Sequence, residues 1–141
     1  MFRRLFFRTF LTGFAFVYPL KIFAQKKAMA DTVVTVTDTT DLDALFKKAR
    51  NLAYEKEYVK SRRILNAIIE KKPDYYDVQS FLGRTYAWDQ QYNEARTAFS
   101  KVLIEKPDFA DALDALIDVE IWTEQFTLAN EYIRAALGYY P

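Results

Sequence analysis

An all-α superhelix of three helix hairpins, preceded by a signal peptide, is the fold class the sequence predicts. Three observations predict it. Pro73, Pro107 and Pro141 recur at one spacing, 34 residues, the length of a helix–turn–helix repeat. Aromatic and small residues recur in register with them: Tyr58, Tyr92 and Phe126; Ser61, Ala95 and Ala129; Leu65, Phe99 and Ile133. Each proline also closes a helix-like stretch. Lys72-Pro73-Asp74 and Lys106-Pro107-Asp108 place a cation at a helix C-terminus, a residue that cannot continue the helix, and an N-cap candidate for the next one.

The N-terminus, MFRRLFFRTFLTGFAFVYPLKIFAQ, carries Arg3, Arg4 and Arg8, an apolar run from Thr9 to Leu20, then Lys21 and the small Ala24. That is the layout of a secretory signal over 1–24, with cleavage expected between Ala24 and Gln25 and a second site after Ala30. The run is shorter than the roughly 20 residues a membrane span needs. Residues 25–40 are rich in Thr, Val and Asp, and read as a flexible linker; Thr32 to Thr37 is a strand candidate. Cleavage would remove four of the 20 basic residues and none of the 19 acidic ones. A mildly acidic mature domain has no electrostatic reason to bind nucleic acid or anionic lipid.

The repeat domain is expected over 41–141, with repeats at about 42–75, 76–109 and 110–141. Within it, helices are predicted near 42–54, 58–71, 76–88, 92–105, 110–122 and 126–139. The middle repeat carries the pattern most fully, with Leu82-Gly83, Tyr86, Tyr92, Ala95, Phe99, Val102 and Pro107. These spacings resemble the tetratricopeptide repeat (TPR). Small residues such as Ala49, Gly83, Ala95 and Ala129 let paired helices approach, and aromatics fill the space beside them.

Composition removes most catalytic templates. The chain has no cysteine and no histidine, so thiol chemistry, disulfides, the commonest metal ligand and the usual general base are all absent. No cofactor, metal site or enzyme activity is expected. Glycine-rich phosphate loops are missing as well, since Gly83 and Gly138 are the only glycines after the signal.

Repeat offsets bring side chains into columns on the first helices, the concave side of such arrays. One column is Tyr54, Trp88 and Trp122, which either stacks on sugar rings or a peptide, or packs at the hairpin turns against Tyr58, Tyr92 and Phe126. A second is Asp43, Asp77 and Asp111, each in a first helical turn where a carboxylate is favoured by about 0.3–1 kcal/mol. Asp114 and Asp118 add charge in repeat three, either for a cationic ligand or as a solvated face. Arg50 and Arg84 share a column with Asp118, so an Arg84–Asp118 pair between repeats is available. Carboxylates on an open helix face lack the closed cleft that hydrolysis of a glycan needs.

The last helix differs from its predecessors. Glu94, Ala98, Lys101 and Glu105 form a mostly polar stripe in repeat two, and Lys60, Ile64, Ala67 and Lys71 a mixed one in repeat one. The same positions in repeat three are Leu128, Tyr132, Ala135 and Tyr139. With Ala129, Ile133, Ala136 and Leu137 expected to supply the hairpin core, Leu128, Tyr132 and Tyr139 are interface candidates for a downstream segment, a partner or a second copy.

The stretches Pro73-Asp74-Tyr75-Tyr76-Asp77-Val78, Leu82-Gly83-Arg84-Thr85-Tyr86-Ala87-Trp88, Tyr92-Asn93-Glu94-Ala95-Arg96 and Asp118-Val119-Glu120-Ile121-Trp122 resemble the N-terminal TPR region of YaiO-type outer-membrane β-barrel proteins. The resemblance covers about 42–141. It implies a periplasmic domain of a Gram-negative cell beside an outer-membrane barrel, in architectures whose TPRs receive polysaccharide. The barrel itself is absent from these 141 residues, so the expectation is either a truncated product or a barrel encoded elsewhere. The function expected is an exported binding module for a protein partner or polysaccharide; the alternative is a scaffold with no groove ligand.

Overall fold

Six α-helices form three antiparallel hairpins in the computed structural model, which describes residues 41–140. The expected signal peptide, linker and strand candidate lie outside the described residues, as does Pro141. The helices are α1 (Leu42–Tyr54), α2 (Tyr58–Lys71), α3 (Tyr76–Trp88), α4 (Tyr92–Glu105), α5 (Ala110–Trp122) and α6 (Phe126–Tyr139). Their bounds coincide with those expected from the proline and aromatic spacing. Each helix packs against its neighbours in sequence, and α3 also packs against α5. No helix among the described residues is long and apolar enough to cross a membrane.

Helix starts are set more by packing than by capping side chains. Asp41 caps α1 through its carboxylate, which accepts from the backbone N–H groups of Asp43 and Ala44 at 2.9 and 3.1 Å. Asp74 and Asp108 do not do the same for α3 and α5. The caps there are Tyr75 and Phe109, without a side-chain hydrogen bond. The turn puts each aspartate too early, and ring packing fixes the entry instead: Tyr75 meets Phe46 edge-on at 5.9 Å, and Phe109 lies 6.3 Å from Tyr76. Lys72 and Lys106 fold over Tyr75 and Tyr76 at 4.5 and 5.2 Å.

Within each hairpin the turn repeats as well. Lys56, Gln90 and Glu124 adopt positive φ of 64°, 59° and 59°, the left-handed conformation that lets a helix end and reverse within a few residues. Helices then approach through small residues. Ala49 and Ala95 are fully buried, and Ser61 donates its hydroxyl to the Ala49 carbonyl at 2.8 Å. A Cβ at Gly83 would lie 2.6 Å from the Phe99 ring, so only glycine admits Phe99 there.

Two apolar clusters form the core. One joins Ala49, Ala53, Ile64, Leu65 and Ile68 to Val78 and Phe81 of α3. The other joins Ala87, Ala95, Phe99 and Val102 to Ala112, Ala115, Leu116 and Val119 of α5. The second helix of each of the first two repeats is therefore buried by the first helix of the next. This corrects the expectation for α6, where Ile133 and Leu137 are exposed rather than in the hairpin core. Ala129 is the buried residue of α6, because no further first helix covers the other positions among the described residues.

Candidate functional site

The first helices α1, α3 and α5 share one face, and a groove of about 520 Å³ runs along it. Phe46, Arg50 and Tyr54 of α1, Tyr75, and Phe81, Arg84 and Trp88 of α3 line it, with Asp77 and Asp111 at its edges. The rings form a connected set. Phe81 is edge-on to Phe46 at 5.6 Å, to Tyr54 at 6.3 Å and to Trp88 at 5.6 Å. Tyr54 and Trp88 lie 6.0 Å apart with a 40° tilt. Thus two members of the predicted aromatic column meet across the repeats, and Tyr54 makes no ring contact with Tyr58 among the described residues. Trp122 stands apart, half exposed.

The two predicted arginines are held differently. Arg50 is exposed, with its guanidinium 5.8 Å from the Phe46 ring and a long 3.4 Å hydrogen bond to the Tyr54 hydroxyl. A second hollow beside it adds Lys47 and Asn51. Arg84 is tied by an ion pair to Asp111 at 2.5 Å and also donates to the Asp111 carbonyl at 3.2 Å. It does not pair with Asp118, which shares its column. Helical side chains lean toward the N-terminus, so Arg84 reaches the first turn of α5 instead. Ser80 donates to the same carboxylate at 2.5 Å. Burial alone would push the Asp111 carboxyl up, but the Arg84 guanidinium and the Ser80 hydroxyl outweigh it and hold it below the ordinary carboxylate value.

The remaining acids are placed as follows. Asp43 accepts from the Tyr75 hydroxyl at 2.5 Å, a bond that, with burial and the neighbouring carboxylates, pushes the phenol up to about 12. Asp114 and Asp118 are exposed and make no ion pair among the described residues. The groove therefore carries the Arg50 cation in repeat one and the Asp77 carboxylate in repeat two, whereas Asp114 and Asp118 lie outside its lining. The interface candidates lie on α6. Leu128 and Tyr139 are exposed, whereas Tyr132 is half-buried against the α3–α5 core, where burial and Glu120 raise its phenol.

One functional-looking pair escaped the sequence reading and proves to be internal. Arg96 of α4 holds Glu120 of α5 through two bonds of 2.8 Å, and donates to the Thr123 hydroxyl at 2.7 Å. Glu120 is fully buried. The hydrogen bond to Glu120 raises the guanidinium against the opposing effect of burial. Arg62 is the equivalent in repeat one: it lies 4.7 Å over the Tyr86 ring and pairs with Asp89 at 2.7 Å. A sequence signal existed. Position 120 follows Leu52 and Tyr86 in its column, so an acid replaces apolar residues opposite a recurring arginine.

A third hollow, of about 510 Å³, lies between α2, α3 and α4, with Ile69, Leu82 and Ala98 among its lining. It is open because Ala98 stands where repeats one and three have Ile64 and Tyr132. Its rim mixes amides and hydroxyls with the charges of Glu94 and Lys101, and it lacks the connected aromatic rings of the first-helix face. Among the described residues no cluster of acids could hold a metal ion.

Residues 52–118 match a family model described as "Tetratricopeptide repeat". No curated protein matches the chain. Among solved structures, "MamA R50E mutant" is similar, at 16% identity and a TM-score of 0.61, covering 73% of this chain and 76% of that one. The repeat match over residues 52–118 and the likeness of fold agree with the hairpins described above: the six helices over 42–139 have an all-α, tetratricopeptide-repeat-like fold.

Proposed function

We propose that the first-helix groove binds an extended segment of a partner protein. TPR domains are generally protein-binding modules and typically non-catalytic. The observation that carries the reading is the combination in one groove of Tyr54, largely exposed, beside Trp88, with Arg50 free of any carboxylate among the described residues. Aromatic faces offer contact area at little entropic cost, and the unpaired cation gives direction. The charges of the groove suit a segment with an acidic residue near Arg50 and a basic one near Asp77.

The place we propose for this module is the periplasm of a Gram-negative cell, beside an outer-membrane export or assembly system. The signal-like residues 1–24 and the resemblance to YaiO-type proteins support it. In that setting polysaccharide is the second ligand class, favoured by the open ring of Tyr54 beside Trp88; a scaffold without a groove ligand is the alternative. Trp88 and Trp122 fluorescence separates the three. Saturable change with partner peptides, abolished by Arg50→Ala, supports the protein reading. Change with cellulose or poly-glucosamine oligomers that survives Arg50→Ala supports glycan, and no change with either leaves the scaffold.

A further inference from the structure

We propose that the open end of the third hairpin is a self-association surface, covered by the same face of a second copy. Two columns of the repeat define this face. Ala53 and Ala87 are 2% and 5% exposed, but Ile121 is 46% exposed; Leu65 and Phe99 are both 0% exposed, but Ile133 is 37% exposed. In the first two repeats these positions are covered by the first helix of the next repeat. In the third they are joined in the open by Trp122, Phe126 and Leu137. Phe126, Ile133 and Leu137 fall on one stripe of α6, at helical spacing.

The face is built to be covered by a surface without buried charge. Arg62 and Arg96 cross the two inner junctions to Asp89 and Glu120, and the equivalent of both in repeat three is Asn130. Asn130 satisfies itself by donating to the Phe126 carbonyl at 2.9 Å, so the seam presents no cation needing a partner acid. The five apolar side chains leave roughly 500 Å² open, at the upper end of what a monomer exposes in one patch. With the polar rim of Asn130, Asp118 and Arg134, the face approaches the roughly 800 Å² that each partner of a standard interface contributes.

Charge on the rim selects a second copy as the occupant. Asp118 lies on the α5 side and Arg134 on the α6 side, both exposed and neither in an ion pair among the described residues. A two-fold axis running along the helices lays α5 of one copy antiparallel across α6 of the other, much as α5 lies across α4. It also turns each Asp118 toward the Arg134 of the other copy, so that one surface complements itself.

Sedimentation of the protein as the cell processes it, over a wide concentration range, tests this. The expected result is a reversible dimer that Leu137→Glu weakens about tenfold or more, with helicity by circular dichroism unchanged because Leu137 is exposed. Asp118→Arg weakens the dimer too, and Asp118→Arg combined with Arg134→Asp restores it. A monomer at every concentration, whether its end face is bare or shielded by another part of the chain, overturns the proposal. So does a dimer indifferent to Leu137→Glu, or a charge reversal that is not rescued.

Discussion

The same residue types do opposite work in two regions of this domain. At the junction of α4 with α5, Arg96 and Glu120 meet with the carboxylate fully buried and both of its oxygens engaged. On the first-helix face, Arg50 leans on Phe46 with one long hydrogen bond and no acid among the described residues, and Tyr54 keeps more than half its surface open. The difference separates what holds the repeats together from what is left for a ligand. Charge that is buried must be satisfied within the chain, whereas charge and aromatic surface that the fold does not need remain available.

The largest expected effect breaks the junction. Arg96→Ala strands Glu120 without its cation and should destabilise the domain by about 3–5 kcal/mol, read by urea unfolding. Arg62→Ala should cost less, since Asp89 is partly exposed and can turn to water. A loss of equal size at both sites would mean that burial of the acid is not what distinguishes them.

Next comes the close approach inside the middle hairpin. Gly83→Ala sets a methyl against the Phe99 ring and should cost about 1–3 kcal/mol of overpacking, against the gain in helix propensity. Ala95→Leu should behave similarly, because Ala95 is fully buried. Thermal unfolding measures both.

A smaller effect concerns the edge of the groove. Asp111 has its folded value held below the unfolded one, so its pairing with Arg84 contributes stability above the ordinary carboxylate pKa of about 3.9 and loses it as pH falls through the lower, folded value. Asp111→Asn should remove that acid-side dependence. The gain at neutral pH is modest, under about 1 kcal/mol, because the carboxylate is half exposed. The smallest effect has the opposite sign. Gln90→Gly relieves a left-handed residue in the hairpin turn and should stabilise by about 0.5–1 kcal/mol.

Helix positions were legible because punctuation is local: proline, the aromatic at each hairpin start and the small residue three positions later recur in every repeat. Residues whose fate depends on the neighbouring repeat were harder to read. Arg84 bonds Asp111 rather than Asp118 because side chains lean along the helix, which column alignment ignores. Ile133 was expected in the core from its column with Leu65 and Phe99, but the burial of those two comes from the next repeat. Glu120 is buried and paired because α4 lies over it, which the residues of its own repeat do not show. The capping role expected of Asp74 and Asp108 fell to Tyr75 and Phe109, since aromatic packing between repeats sets where those helices begin.

The central claim is that the first-helix face is free for a ligand because the fold does not need it. The most direct measurement compares Tyr54→Ala with Arg50→Ala in paired assays of stability and of peptide binding by tryptophan fluorescence. Both variants should unfold within about 1 kcal/mol of the parent, while saturable binding of a peptide with an acidic residue at one end and a basic one at the other is lost. Variants that unfold early, or that stay folded and bind as tightly as the parent, would contradict it.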